Sequence, residues 1–434
     1  LRKTLTSKQP PEKGTLETPH KLSSAQAEEI VLINVSGQDK PGLMSLLMET
    51  LAQFNAHILD IGQAVIHEDL ALGILVSVPV DHSGALIKDI MSNANAAGAT
   101  VRITHVTEAN YQLWVEASGQ TRYILTLLAT GDGSHALYAA SSLTHKFGLN
   151  IDTVRRLTDR GDTRSEDQPT RLCIEMRLRG NAADMNRLRS ELMASADSLN
   201  FDFSLQHDTV FRRNRRLVAF DMDSTLITEE VIDELARHHG VGEQVAAITA
   251  QAMTGEIDFK ESFRRRAGLL QGMPVGTLEQ VANAVQLNTG AERLLRALRY
   301  FGYKTAVISG GFQYVGDHLQ QRLGIDYVYA NALEIENGVM TGAVAGEIID
   351  AQRKADLLRQ TAQAEGISLQ QTIAIGDGAN DLPMLSTAGL GVAFHAKSVV
   401  RENAEHAISN FGLDAVLYLI GFSDRDIDQA LEHG

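Results

Sequence analysis

The sequence predicts an α/β protein: a C-terminal doubly wound parallel sheet with a helical cap, preceded by two α+β ferredoxin-like domains. Three observations carry this. The N-terminal half repeats the order strand, helix, strand, strand, helix, strand at an offset of 94 residues, with Gly37 matched to Gly131 and Leu43 to Leu137. The C-terminal half alternates short apolar strands with helical patterns. Several of those strands run directly into Gly- or Asp-rich turns. A length of 434 residues suits about three domains.

The elements follow in order. Residues 1–27 hold Pro10, Pro11 and Pro19 among polar residues and read as an arm, without the apolar core of a signal peptide. The first ferredoxin-like domain is expected over 28–108. In it a strand at 31–35 leads through Gly37-Gln38-Asp39-Lys40-Pro41-Gly42 into a helix with Leu43, Leu46, Leu47, Leu51 and Phe54 at helical spacing. Pro41 and Gly42 suit that helix's first turn. Leu72, Ile74, Val76, Val78 and Val80 alternate, which predicts a strand with one buried face. A helix over 84–97 and a strand over 100–106 close the unit.

The second copy is expected over 120–208. Its strands are read at 123–130, 149–157, 171–179 and 201–206, with helices at 134–146 and 182–194 and a polar loop over 158–169. On the third strand Leu172, Ile174, Met176 and Leu178 form the apolar face, leaving Cys173 on the side of Arg171, Glu175, Arg177 and Arg179. The junction Arg212, Arg213, Arg215, Arg216 reads as a solvated or interdomain salt-bridging segment. The third domain, 215–434, has strands at 217–220, 303–308 and 372–375, and helices at 291–300 and 352–364. About 228–288 is helical in composition and reads as a cap over the sheet.

Net charge narrows the function. Lys+Arg number 39 against 54 Asp+Glu, a net of −15, which excludes a general nucleic-acid or anionic-membrane binder. Residues 221–434 carry 16 basic and 29 acidic groups, so most of the excess sits in the third domain. No run of 18 apolar residues is present, so no membrane span is expected. A single cysteine, Cys173, excludes an internal disulfide framework and fits a cytoplasmic setting. His238 and His239 have no carboxylate partner at ligand spacing.

In open α/β sheets, function gathers at the carboxyl ends of strands. Those ends here carry Asp221-Met222-Asp223-Ser224-Thr225, Ser309-Gly310-Gly311 and Gly376-Asp377-Gly378-Ala379-Asn380-Asp381, with Lys354 between the last two. Four carboxylates, Asp221, Asp223, Asp377 and Asp381, converging on one crevice would repel unless a divalent cation sat among them. Oxygen donors suit Mg²⁺. Pro383 is tolerated only in a first helical turn, so a helix should start near Asn380 and offer backbone N–H groups to an anion. Ser309, Gly310 and Lys354 complete a phosphate cradle.

These motifs, in this order across roughly 217–392, resemble the haloacid dehalogenase-type phosphatases, and among them the phosphoserine phosphatases. The cap segments Glu229-Glu230-Val231-Ile232-Asp233-Glu234 and Phe263-Arg264-Arg265-Arg266 fit the same family. The resemblance implies Mg²⁺-dependent hydrolysis of O-phospho-L-serine to L-serine and phosphate, the last step of serine biosynthesis. Asp221 would be the nucleophile forming an aspartyl-phosphate, and Asp223 the general acid and base. One Mg²⁺ would be held by Asp221, the backbone carbonyl of Asp223, and Asp377, with Asp381 placing its waters. Ser309, Gly310, Lys354 and Asn380 would hold the phosphoryl oxygens. Glu230 would meet the substrate ammonium, Arg266 its carboxylate, and Met253 and Phe259 would wall the pocket.

The N-terminal repeats resemble tandem ACT domains, which often bind amino acids. Asp39, Lys40, Pro41 and Gly42 form the expected ligand loop, with L-serine as a candidate effector. The second copy, Gly131-Asp132-Gly133-Ser134-His135-Ala136-Leu137, lacks Lys-Pro-Gly and departs from that pattern. A homodimer is expected. The alternatives left open are a related phosphomonoesterase or phosphotransferase, and a non-enzymatic amino-acid sensor.

Overall fold

The computed structural model describes residues 27–131, 133–159 and 171–433. The arm expected over 1–27 lies outside these residues except for Ala27, as do most of the loop expected over 158–169 and Asp132 of the second copy's turn. The chain divides into two units, one ending at Gly119 and the other starting at Gln120.

In the first unit the strands are β1 (Glu28–Gln38), β2 (His57–Ile66), β3 (Asp69–Pro79) and β4 (Ala99–Val106). The helices are α1 (Leu43–Gln53), α2 (Val80–Ala96) and α3 (Glu108–Ser118). The strands form an antiparallel sheet in the order β2-β3-β1-β4. The predicted alternation holds for Leu72, Ile74, Val76 and Val78, which are buried with Leu47, Leu51, Leu86 and Ile90 of α1 and α2, but not for Val80, which opens α2 and is 54% exposed. Gly42 caps α1 at φ 97°, a conformation glycine adopts without strain. Pro41 therefore precedes the helix instead of standing in its first turn.

The second unit opens with β5 (Arg122–Thr130), α4 (Ser134–Lys146), β6 (Asn150–Arg156), β7 (Arg171–Arg179), α5 (Met185–Leu199) and β8 (Phe201–His207). Their order β8-β5-β7-β6 repeats that of the first unit. The sheet does not stop there. β8 pairs antiparallel with β15 (His406–Ile408) at Phe203 and Ala407, giving one sheet of 11 strands. The apolar face read for β7 is buried as expected, and the polar side is partly covered as well. Cys173 is 1% and Glu175 5% exposed, because this face packs against the C-terminal segment that includes α15 (Ala415–Leu419). Burial pushes the Cys173 thiol up, so it stays protonated and inert. The basic junction is also not simply solvated. Arg212 is buried against Glu175 at 2.7 Å, and buried Arg215 donates to the carbonyls of Gln370 and Thr372, while Arg213 and Arg216 are exposed.

The remaining strands are β9 (Leu217–Phe220), β10 (Lys304–Phe312), β11 (Tyr327–Glu336), β12 (Val339–Ala345), β13 (Thr372–Gly376) and β14 (Leu390–Phe394). With β15 they run β12-β11-β10-β9-β13-β14-β15, parallel except for the β11–β12 hairpin. β9 is central and its residues alternate between two cores: Val218 and Phe220 face one, Leu217 and Ala219 the other. That is the signature of a sheet covered on both sides. Between β9 and α10 (Ala291–Tyr300) stand α6 (Val231–His239), α7 (Gly242–Met253), α8 (Phe259–Gly268) and α9 (Val275–Ala284), the helical cap. α11 (Gln313–Leu323), α12 (Ala351–Ala364), α13 (Leu382–Thr387), α14 (Ser398–Asn403) and α16 (Asp424–His433) complete the unit. Among the described residues no helix is long and apolar enough to cross a membrane.

Candidate active site

The three motif-bearing strands are neighbours in the order β10-β9-β13, so their carboxyl ends meet in one place. Asp221 leaves β9 with its N–H bonded to the Ile375 carbonyl of β13 at 2.8 Å. Its Oδ1 accepts from the Met222 N–H at 2.7 Å, and its Oδ2 lies 2.8 Å from Lys354 Nζ. The chain then turns sharply, with Ser224 at φ 56°, in the left-handed region. Asn288 pins this turn by donating to the Thr225 and Ile227 carbonyls at 2.8 and 3.1 Å.

On β10 the register against β11 shifts between Ile308 and Phe312, a bulge that lifts Ser309-Gly310-Gly311 out of the ladder. Ser309 Oγ accepts from the Gly311 N–H at 2.9 Å. Both glycines are needed for space. A Cβ on Gly311 would lie 2.6 Å from Asp223 Oδ2, and one on Gly310 would lie 2.9 Å from the Phe259 ring. After β13, Asp377 accepts from Thr225 Oγ1 at 3.0 Å, and Asp381 Oδ2 accepts from the Gly378 N–H at 3.0 Å. A 3-10 turn over Ala379–Asp381 precedes α13, with Pro383 in its first turn as expected. Asn380 folds back over Gly378 in that turn.

Lys354 comes from α12, is 1% exposed, and bonds Asp381 Oδ1 at 2.7 Å as well as Asp221. Oxygens of Asp221, Asp377 and Asp381 all lie within 4.8 Å of one another. The Asp223 carboxylate stands beside this cluster, toward the cap. There Glu230 accepts from Ser224 Oγ at 2.8 Å. Arg264 and Arg265 are exposed, whereas Arg266 is half-buried and its Nε has no hydrogen-bond partner. Phe259 is half-buried and stacks on Phe263 at 6.1 Å. Met253 does not form the expected wall: it ends α7 and is 68% exposed.

Residues 218–386 match the haloacid dehalogenase-like hydrolase family, and residues 29–104 match the ACT domain. Phosphoserine phosphatase of Streptomyces coelicolor is 38% identical over 412 residues, which is 94% of this chain and 97% of that protein. A phosphoserine phosphatase of Mycobacterium tuberculosis is 37% identical over 93% of this chain and 96% of its own. The chain belongs to the phosphoserine phosphatase family. Among solved structures, a HAD family hydrolase from Salmonella enterica aligns with a TM-score of 0.59 at 33% identity, over 69% of this chain and 99% of that one. A probable phosphoserine phosphatase from Vibrio cholerae aligns at 0.54 and 32%, over 73% and 90%.

The electrostatics of this phosphatase site follow from burial and crowding. Burial, then the charges of Glu230 and Asp221, push the Asp223 carboxyl well above the usual carboxylate range. Its Oδ1 has no hydrogen-bond partner. A carboxyl that keeps its proton in this way can serve as a general acid. Burial and the Asp221 charge push Asp377 up to about 6 and Asp381 up to about 7. Burial works against the Lys354 ammonium, but Asp221 and Asp381 more than offset it and hold its pKa above the ordinary value. Glu230 is exposed as a residue, yet its carboxyl end is enclosed: burial, then Asp221 and Asp233, push it up against the pull of Ser224 and Arg266. Burial pulls Arg266 down, opposed by Asp233, Glu230 and Asp223.

Three close carboxylates matched by one lysine leave excess negative charge. Hard oxygen donors of this kind fit Mg²⁺, which would be held at Asp221 and Asp377 with Asp381 alongside. Sequence reasoning missed several contributors. Thr225 orients Asp377, and its place in the Asp-x-Asp-Ser-Thr motif was the available signal. Asn288 gave none. Neither did buried Asn331, whose Nδ2 donates to the Gly310 carbonyl and whose Oδ1 accepts from the Ile349 N–H, both at 2.8 Å. The loop residues Asp39, Lys40, Pro41 and Gly42 are exposed at the start of α1 in the first unit.

Proposed function

We propose that this chain hydrolyses O-phospho-L-serine to L-serine and phosphate in the last step of serine biosynthesis, through an aspartyl-phosphate on Asp221. The observation that carries this is the geometry of the pair: Asp221, held by Lys354 at 2.8 Å, stands beside Asp223, whose carboxyl is pushed well above the usual range by burial and by the Glu230 and Asp221 charges. An Asp221 oxygen attacks phosphorus, the P–O bond to serine breaks, and the Asp223 proton passes to the departing serine oxygen. Asp223, now a carboxylate, takes a proton from the water that attacks the phosphoenzyme, which frees phosphate and restores Asp221. Ser309 Oγ, the Gly310 N–H, Lys354 and Asn380 hold the phosphoryl oxygens. Asp221, Asp377 and the Asp223 carbonyl would hold Mg²⁺, with Asp381 alongside, and the ion would supply charge neutralisation for the phosphoryl group. Arg266 takes the substrate carboxylate, Glu230 its ammonium, and Phe259 excludes water from that side.

The test is phosphate release from O-phospho-L-serine by the purified chain with Mg²⁺. Activity should vanish with EDTA and fall at least about 10³-fold in Asp221→Asn. Arg266→Ala should raise KM for phosphoserine by about 10²-fold while sparing esters that lack a carboxylate. A substrate panel in which another small phosphate ester outranks phosphoserine would sink the substrate assignment.

The same reading makes the first repeat an amino-acid-binding module, with Asp39, Lys40, Pro41 and Gly42 at its ligand loop and a homodimer as the working form in the cytoplasm. Equilibrium dialysis of L-serine against the full chain tests it, and no binding at millimolar serine would count against it. The full chain is needed because a fragment ending near residue 208 would cut through the continuous sheet.

A further inference from the structure

The cap helix α8 carries two residues that the proposed reaction needs, Phe259 and Arg266, on opposite ends of its ten-residue length. Its C-terminal end is fixed by backbone. The Gly272 N–H donates to the Met340 carbonyl of β12 at 2.8 Å, and Gly342 lies so close that a Cβ there would be 3.1 Å from the Gly268 carbonyl. At its N-terminal end the contacts with the core are of another kind. The Phe259 ring rests on Gly310, and Lys260 Nζ reaches Asp350 Oδ2 at 2.9 Å. Asp350 belongs to the core. It caps α12, accepting from the Arg353 N–H at 2.8 Å, and α12 carries Lys354 into the site. Glu347 adds a second negative charge near Lys260, and Arg264 opposes it.

Buried Phe263 anchors the middle of the helix against Phe312 at 5.6 Å, so loss of the ion pair loosens only the first turn. That turn carries Phe259, whose ring then lifts off Gly310 and admits water beside Arg266 and Glu230. We propose that Lys260 is a positioning residue: through Asp350 it clasps the first turn of α8 to the core, and so sets how well Phe259 screens the Arg266 and Glu230 contacts with the substrate from water. The inference rests on the phosphoserine phosphatase reading. The pair is part-exposed, at 39% and 27%, so its effect is modest and salt-dependent.

Lys260→Met keeps the aliphatic stem, and Asp350→Asn keeps a good cap for α12. Each should raise KM for O-phospho-L-serine about three- to tenfold with kcat within about twofold. The double variant should be no worse than either single, and Lys260→Arg should restore most of the loss. With p-nitrophenyl phosphate, which has no groups for Arg266 and Glu230, KM should change less than about twofold. Hydrogen exchange supplies a readout independent of substrate: α8 amides should exchange faster in both variants, with α6 and α9 unchanged. Unchanged α8 exchange, additive effects in the double variant, or equal losses on both substrates would overturn the proposal. Should the wild-type chain fail to hydrolyse phosphoserine, the functional reading falls, and α8 exchange alone decides whether the clasp exists.

Discussion

Gly311 shows how little room the site leaves at the level of one atom. A methyl group there would stand 2.6 Å from Asp223 Oδ2 and 2.7 Å from Met222 Cε. Gly311→Ala must therefore push the Asp223 carboxylate aside, and a displacement near 1 Å costs about 10²-fold. The expected outcome is a kcat lower by about that factor with a melting temperature within a few degrees of wild type. Activity assay and calorimetry on the same preparation check both halves. Motif residues of this kind were readable in the sequence, because carboxylates, glycines and a lysine at strand ends have few other uses in that combination. Arg266 was not separable from Arg264 and Arg265 by residue type. Burial beside Asp233, Glu230 and Asp223 separates them, and burial belongs to the packed cap.

Elements position these atoms through groups that carry no motif. Asn331 ties the β10 bulge at Gly310 to the segment entering α12 at Ile349. Asn331→Ala strands a part-buried carbonyl and a buried N–H, each worth about 1–3 kcal/mol, and frees the Ser309-Gly310-Gly311 bulge and the entry to α12 together. Loss of about 2–4 kcal/mol of stability is expected by denaturant titration, with kcat/KM down by at least about tenfold. Strand periodicity placed the buried faces of β3 and β7 but missed the cover on the other face of β7, for one reason. Alternation reports which face a strand's own helices cover, and on β7 the opposite face is covered by residues more than two hundred positions later in the chain, including Leu417 and Leu419.

Across the whole molecule the decisive feature is the seam between the second repeat and the phosphatase sheet. Buried His406 of β15 meets Ser204 Oγ of β8 at 3.0 Å, and Gln206 Nε2 links Ser204 to the Leu419 carbonyl at 2.8 Å. Burial, then the charges of Arg189 and Arg215, pull His406 down to about 3. The unfolded chain takes up that proton near pH 6.5, so the fold loses stability as pH falls from 6.5 toward 3. The stability advantage of wild type over His406→Gln should shrink by about 2 kcal/mol between pH 7 and pH 5, read from urea midpoints. A gap independent of pH would contradict the buried neutral imidazole. Cutting the chain tests the same seam. Residues 120–434 should fold and keep kcat within about twofold, because each unit has its own core. Residues 209–434 should aggregate, with the β15 edge and the apolar cover of β5 laid open. The sequence by itself determined the repeat, the alternation of strands and helices, and which motif residues stand at the strand ends, since periodicity and residue chemistry are local properties. Only the tertiary structure decided that the second repeat is built into the catalytic sheet, that Arg266 faces the site, and that Lys260 reaches Asp350. Those are contacts between residues far apart in the chain, and packing alone selects them.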